Sequence, residues 1–287
     1  MAGKMKNESN SNPNALLVRQ KMQLAMSGFR DKLGIHEFDP RDFEIVDLKV
    51  KIPDLDPAFN KYRIVHISDI HLGQWISAKR IKGVVNMVNK LEPDLIAITG
   101  DSVSYVVNEP VLDMLRFLKN LKPKDATVAV LGNHDHWMGA EKIRSVMDES
   151  KIIELENDVY TLKRGDATLH IAGVDSITLE KHDLDAVLEK LPSSGPAILL
   201  AHEPDFADVS AATERFSLQL SGHSHGGQMI IPGLGTPFRG SQFRKYPLGE
   251  YKIGKMVQYT NRGLGTNVFW IRINCPPEIT ILQLQRT

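Results

Sequence analysis

The sequence predicts an α/β protein built on a largely parallel sheet that helices cover on both faces. Short apolar runs at residues 95–99 and 127–131 show no polar alternation, as expected of strands buried on both sides. Segments of helical periodicity separate such runs, which is the pattern of βαβ units. Polar residues directly follow the runs, at the sheet edge where open α/β proteins bind ligands.

Length and composition narrow the class of protein. The 287 residues allow a sizeable core, and 42% hydrophobic with 24% charged residues is ordinary for a soluble protein. Lys plus Arg and Asp plus Glu both number 35, so zero net charge argues against a nucleic-acid partner. The single cysteine, Cys275, excludes an intramolecular disulfide. No apolar run nears the roughly 20 residues of a transmembrane helix, so a cytoplasmic location is expected.

Three parts are predicted along the chain: a disordered tail at residues 1–14, an N-terminal extension at 15–58, and one domain at 59–287. The extension contains a basic amphipathic helix at 15–33 and an alternating strand from Val46 to Ile52. The apolar stripe of that helix comprises Val18, Met22, Ala25, Met26, Phe29 and Leu33. Packing of this stripe on the domain is the favoured interpretation, and peripheral membrane contact is the alternative.

The domain begins with strands at 63–68, 95–99 and 127–131, with helices after Ser77 and at 111–118 between them. Its second half is richer in strands, at 159–163, 168–174, 197–201, 217–221, 228–231, 256–260 and 279–284, with a helix at 184–191. The sequence shows no internal repeat, so a single domain is expected.

Residues able to bind metal follow five of the predicted strands. They are Asp69, His71, Asp101, Asn133, His134, His202, His223 and His225. Each alone has an ordinary structural interpretation, such as a turn residue, a helix cap or a buried histidine. Because five such strand ends meet at one rim, five independent coincidences are a poor explanation.

The chemistry of this set favours a pair of metal ions. Carboxylates, imidazoles and an amide without a thiolate favour Mn²⁺, Fe or Zn²⁺. The set is too large for one ion and suits two that share a carboxylate. Two such ions stabilise the attacking and leaving oxygens of an in-line displacement and lower the pKa of bound water to about 7. The sequence therefore predicts a metal-dependent phosphoric ester hydrolase.

The ordered motifs Asp-x-His, Gly-Asp, Gly-Asn-His-Asp, His and Gly-His-x-His resemble the calcineurin-like metallophosphoesterase superfamily over residues 63 to about 284. The later stretches 226–228, 261–266 and 274–279 resemble its YaeI/YkuE-type phosphodiesterase branch. The resemblance implies a four-layer α/β/β/α sandwich of two mixed sheets flanked by helices.

The same resemblance implies roles for the strand-end residues. One metal ion would be held by Asp69, His71 and His225, and the other by Asn133, His202 and His223. Asp101 would bridge the ions together with a hydroxide that attacks phosphorus in line. His134 would donate a hydrogen bond or proton to the leaving oxygen. Ser104 stands where many relatives carry an Asp or His that orients this histidine, and Asp135 is the alternative orienting residue.

The sequence predicts the reaction more specifically than it predicts the substrate. Arg262 is the first candidate for a phosphate contact outside the metal shell, Arg272 is a weaker one, and Arg244 lies in an aromatic and basic loop at 230–251. A small-molecule phosphodiester is expected. The alternative is a pyrophosphate of a nucleotide-linked lipid, of the UDP-diacylglucosamine type, which the helix at 15–33 would suit. No obligate protein partner is evident.

Competing functions are disfavoured by particular residues. Gly222 to Gly226 fits the G-x-S-x-G elbow, but no Asp or His follows His225, which excludes a serine hydrolase. Residues 249–255 fit a P-loop, but Met256 replaces the required Ser or Thr. A non-catalytic scaffold on the same fold is a distant alternative, because every expected ligand is present.

Overall fold

The computed structural model describes residues 13–33, 37–237, 239–267 and 270–287. The disordered tail predicted at 1–14 falls on residues 1–12, which lie outside this part of the chain, and is wrong at residues 13 and 14, where the first helix begins. The helices are α1 (Pro13–Lys32), α2 (Ala78–Lys90), α3 (Glu109–Arg116), α4 (Asn133–Trp137), α5 (Ala140–Glu149), α6 (Leu184–Lys190) and α7 (Ala207–Ala212). The strands are β1 (Glu44–Ile52), β2 (Arg63–Ile67), β3 (Leu95–Thr99), β4 (Ala126–Val130), β5 (Ile152–Glu154), β6 (Asp158–Arg164), β7 (Ala167–Gly173), β8 (Ala197–Leu200), β9 (Leu218–Ser221), β10 (Gly249–Ile253), β11 (Met256–Thr260) and β12 (Glu278–Arg286).

These strands form two six-stranded sheets. The first has the order β1-β12-β2-β3-β4-β5 and is parallel except between β12 and β2. The second has the order β10-β11-β9-β8-β7-β6 and is parallel except at its two outer pairs. Both sheets are therefore mixed, as the resemblance implied.

The packing confirms four layers. One apolar core lies between the sheets, where Ile64 and Val128 of the first sheet share a cluster with Ile171 and Leu200 of the second. The other face of the first sheet packs against α2, α3 and α5, and the other face of the second packs against α6 and α7. Burial of both faces explains why the central strands are apolar throughout.

Two predicted elements differ in the structure. The strand expected at 228–231 is wrong, because Gly226, Gly227 and Gln228 take positive φ values of 59°, 66° and 55° that end the extended chain. The helix expected at 111–118 begins earlier, where Asn108 accepts a hydrogen bond from the Val111 N–H and caps the first turn.

The N-terminal extension is part of the packed structure. Strand β1 pairs in parallel with β12 from Glu44 with Glu278 to Ile52 with Arg286. The expected packing of the α1 apolar stripe is wrong, since Val18 is 55% exposed and Phe29 is 59% exposed, whereas Gln23 is only 5% exposed. Among the described helices, none is both long and apolar enough to cross a membrane.

Candidate metal centre

The loops that follow β2, β3, β4, β8 and β9 meet at one rim where the two sheets come together. Seven predicted site residues form three overlapping groups of possible ligands, with the donor atoms of each group within 4.8 Å of one another. The groups are Asp69, His71 and His225; His71, Asp101 and His134; and Asp101, His202 and His223. All seven are buried except His223, which is partly exposed. The structure therefore brings the separate motifs of the sequence together.

The first group surrounds a single point. His225 Nε2 lies 3.0 Å from His71 Nε2 and 3.3 Å from Asp69 Oδ1. The other oxygen of Asp69, Oδ2, accepts hydrogen bonds from Ser68 Oγ at 2.6 Å and from the His223 N–H at 2.9 Å. These bonds fix the carboxylate so that Oδ1 faces the two imidazoles.

The carboxylate of Asp101 lies between His71 of the first group and His202 of the third. Asp101 Oδ2 lies 3.3 Å from His202 Nε2 and 3.6 Å from His71 Nε2. His202 Nε2 is in turn 3.2 Å from His223 Nδ1. Asp101 Oδ1 accepts a hydrogen bond from the His134 N–H at 2.9 Å, so the carboxylate is oriented in the same manner as Asp69. One oxygen atom of Asp101 thus borders both groups.

Several of the donor atoms are in a state that suits metal ions. Burial lowers the pKa values of His71 and His225, which favours their neutral, ligating forms. His202 Nδ1 lies 2.7 Å from the Thr99 carbonyl oxygen, to which it donates, leaving Nε2 to face Asp101. The buried Asn133 Oδ1 has no hydrogen-bond partner among the described residues, which suits an oxygen that would bind a metal ion. These residues fit a pair of divalent ions.

The local backbone is unusual at the same positions. Five residues of the centre have left-handed φ values: Asp69 (46°), His71 (49°), Asp101 (52°), His223 (68°) and His225 (51°). Such values are uncommon outside glycine and concentrate at functional sites. A Cβ atom on Gly222 would overlap Ser68 Oγ and Asp69 Oδ2, so only glycine lets the β9 loop approach the β2 loop.

Three aromatic rings pack against the side chain of His134. Its ring centroid lies 4.6 Å from that of Tyr105, 4.8 Å from that of Trp137 and 4.7 Å from that of His71. Its Nε2 lies 4.0 Å from Asp101 Oδ2. The side chain of Ser104 instead accepts a hydrogen bond from Gln74 Nε2 at 2.6 Å.

The hydrogen bonds that the structure describes for the Asp135 side chain come from backbone groups and not from the His134 ring. Asp135 accepts hydrogen bonds from the Gly132 N–H at 3.0 Å and from the Val103 N–H at 3.1 Å. Aromatic packing therefore positions His134.

The three predicted substrate arginines have other contacts. Arg262 pairs with Glu278 at 2.5 Å and with Glu44 at 2.9 Å. Arg272 donates to the carbonyl oxygens of Gly265 and Arg262, at 2.5 Å and 2.8 Å.

The third, Arg244, lies in the exposed loop. Its backbone N–H donates to Asp205 at 2.7 Å, and its carbonyl oxygen accepts from Arg239 at 2.9 Å. The structure thus involves Arg262 and Arg272 in holding the fold around the centre and Arg244 in holding its loop.

Two further histidines, His66 and His136, bind residues other than those of the three ligand groups. His66 lies in β2, with Nε2 2.7 Å from Thr99 Oγ1. His136 lies behind the site and pairs with Asp175 at 2.5 Å.

Ser68 and Tyr105 were not predicted as site residues. Ser68 could have been found from its position directly before Asp69, whereas no local signal marks Tyr105.

The comparisons with known proteins agree with this geometry. The family model of the calcineurin-like phosphoesterases matches residues 62–227, which include all the residues of the centre. The chain belongs to the calcineurin-like phosphoesterase family. Membership implies a metal-dependent hydrolase of phosphoesters, and it confirms the family predicted from the motifs.

Curated relatives match over most of the chain. The uncharacterized metallophosphoesterase YkuE of Bacillus subtilis is 32% identical, covering 87% of this chain and 88% of its own. Phosphodiesterase YaeI of Escherichia coli is 29% identical over 87% of this chain and 91% of its own. A second Bacillus subtilis protein, the uncharacterized metallophosphoesterase YkoQ, is 28% identical over 85% of this chain and 91% of its own.

Proposed function

We propose that this calcineurin-like phosphoesterase is a dinuclear metal-dependent phosphodiesterase. The observation that carries the proposal is the position of Asp101 Oδ2, which lies within 3.6 Å of a histidine from each ligand group. A carboxylate oxygen between two ligand groups is the arrangement that two neighbouring ions need. The name of one relative, phosphodiesterase YaeI, supports a diester as the substrate class.

The residues would act as follows. Asp69, His71 and His225 would hold one ion, while Asn133, His202 and His223 would hold the other, with Asp101 shared. When bound, two such ions supply Lewis acidity and a water of lowered pKa. Ser68 and the His223 N–H keep the Asp69 carboxylate in its ligating orientation. His134, packed between Tyr105 and Trp137, would donate a hydrogen bond or proton to the leaving oxygen.

Hydrolysis of bis-p-nitrophenyl phosphate tests the proposal, with p-nitrophenyl phosphate as the monoester comparison. Metal-stripped protein receives Mn²⁺, Zn²⁺ or Fe²⁺, and we expect metal-restored cleavage of the diester. Asp101→Asn and His134→Ala should each lose at least about 100-fold in kcat/KM. His182→Ala is the matched control, because its ring packs on Phe206 outside the centre. Metal binding without turnover of either ester would overturn the diesterase proposal.

A specific observation favours a lipid-linked substrate as the second candidate. Exposed apolar side chains of α1, including Leu17 at 48%, Leu24 at 57% and Phe29 at 59%, lie on a helix that touches the Tyr105 loop of the site. Ile271, at 60% exposed, lies four residues beyond Asn267, which also contacts Tyr105. An apolar rim beside the centre suits a substrate held at a bilayer surface.

Cosedimentation with vesicles tests this second candidate. We expect the protein to bind vesicles that contain an anionic phospholipid, and a Leu24→Ser/Phe29→Ser variant to bind less, with its diester activity unchanged. Equal sedimentation of the variant and the parent protein would contradict a role for this surface.

A further inference from the structure

Helix α1 docks on the metal centre through a polar face. Arg19, Gln23 and Ser27 are spaced by four residues, so their side chains share one side of the helix. Gln23 Oε1 accepts a hydrogen bond from the Tyr105 N–H at 2.8 Å, and Ser27 Oγ donates to the Gly73 carbonyl oxygen at 2.8 Å. These contacts join α1 to the loops after β2 and β3, which carry His71 and Asp101.

Tyr105 connects Arg19 to His134. Arg19 Nη1 donates to the Tyr105 hydroxyl at 3.2 Å, and that hydroxyl donates to Asn267 Oδ1 at 3.1 Å. The Tyr105 ring is 3% exposed and packs on His134 with ring centroids 4.6 Å apart. One aromatic side chain therefore contacts both Arg19 and His134.

The Arg19 guanidinium donates one hydrogen bond to the residues that the structure describes, through Nη1. Among the side chains that the structure describes, no carboxylate lies within ion-pair distance of it. A guanidinium has five N–H donors and binds phosphate or carboxylate oxygens in pairs. Arg262 and Arg272, by contrast, already bind carboxylates and backbone carbonyls. Arg19 is also only partly exposed, which favours a bound anion over free solvent.

We propose that Arg19 is a specificity-determining residue that binds a negatively charged group on the leaving portion of the substrate. The inference rests on the proposed function, in which His134 faces the leaving oxygen. Both Arg19 and His134 contact the Tyr105 ring, so an anion bound by Arg19 would belong to the leaving portion of the substrate, on the side that His134 faces. The substrate class is then a phosphoester whose leaving group bears a second anion, such as the second phosphate of a pyrophosphate-linked compound.

A pair of chromogenic diesters that differ by one charge tests this proposal in the full chain. Phenyl 4-nitrophenyl phosphate has an uncharged leaving ring, and phenyl 3-carboxy-4-nitrophenyl phosphate carries a carboxylate on that ring. For Arg19→Gln we expect kcat/KM to fall about tenfold with the carboxylated ester, mainly through KM, and to stay within twofold with the uncharged ester. Arg19→Lys should lie between the two, because it keeps the charge but loses the paired geometry.

The controls separate binding from helix docking. Lys21→Gln removes an exposed positive charge two residues away and should leave both esters unaffected. Equal losses on both esters in Arg19→Gln would show that Arg19 only holds α1 in place, and no loss on either would show that it binds nothing; both results overturn the inference. Failure of the unmodified protein to cleave either ester with any metal would overturn the proposed function itself.

Discussion

The backbone N–H of His223 donates to Asp69 Oδ2 at 2.9 Å, joining residues 154 positions apart. Asp69 follows β2 of the first sheet and His223 follows β9 of the second. The metal centre is therefore assembled across both sheets, and each carboxylate that faces it is oriented by a bond from another loop.

Removing the hydroxyl of Ser68 should weaken the first metal site. Ser68→Ala loses the 2.6 Å bond to Asp69 Oδ2, which frees the carboxylate to rotate. Loss of such an outer partner typically costs 10- to 100-fold in metal affinity, so we expect about a tenfold weaker site by metal titration. Ser150→Ala, at a buried serine in the turn after α5, is the control and should bind metal normally. Identical titration curves for the two variants would refute the role of Ser68.

Gly222→Ala should disrupt the approach of two loops. The added methyl group would overlap Ser68 Oγ and Asp69 Oδ2, and steric overpacking of this kind costs about 1–3 kcal/mol. We expect a lower free energy of unfolding by chemical denaturation, together with loss of metal binding. Gly28→Ala, where nothing lies within 4 Å of the added atom, should be neutral or slightly stabilising in its helix. Normal metal binding by Gly222→Ala would contradict the packing described.

Arg262 should matter for stability more than for substrate binding. Its partner Glu278 is 2% exposed, so Arg262→Gln would leave a buried carboxylate without its cation. Breaking a buried pair costs about 3–5 kcal/mol, and the hydrogen bonds from Tyr259 and Thr280 to Glu278 should keep the loss near the lower value. Thermal unfolding measures the loss. A raised KM at unchanged stability would instead support the phosphate contact predicted from sequence.

The stability of the protein should depend on the ionisation of Glu154. Burial raises the pKa of this carboxyl to about 7, although Arg144 opposes the shift. The folded protein therefore binds this proton more tightly than the unfolded chain, and its contribution to stability is lost as pH rises from about 4.5 to about 7. Glu154→Gln should gain about 2 kcal/mol in unfolding free energy relative to the parent protein between pH 5 and pH 8.

Unfolding in denaturant at both pH values checks this prediction. Glu156→Gln, which removes a more exposed partner of the same arginine, is the matched control. A difference between Glu154→Gln and the parent that is the same at both pH values would rule out the proposed linkage.

Much of the architecture is local in origin and was predictable. The strands 95–99 and 127–131 are apolar because both their faces are buried, and this composition is visible without coordinates. The position of metal-binding residues after the strands follows from the parallel sheet, since carboxyl ends share an edge. Helix α4 was missed because its five residues serve the centre and show no apolar period.

Tertiary structure alone decided which atoms face one another. The left-handed φ values at Asp69, His71 and Asp101 depend on support from neighbouring loops, so no propensity predicts them. The sequence likewise determined that α1 is a helix with basic and apolar residues, but the structure decided that Arg19, Gln23 and Ser27 face the domain. Periodicity identifies a possible apolar face, whereas hydrogen bonds from Tyr105 and to Gly73, far away in the chain, determine which face docks.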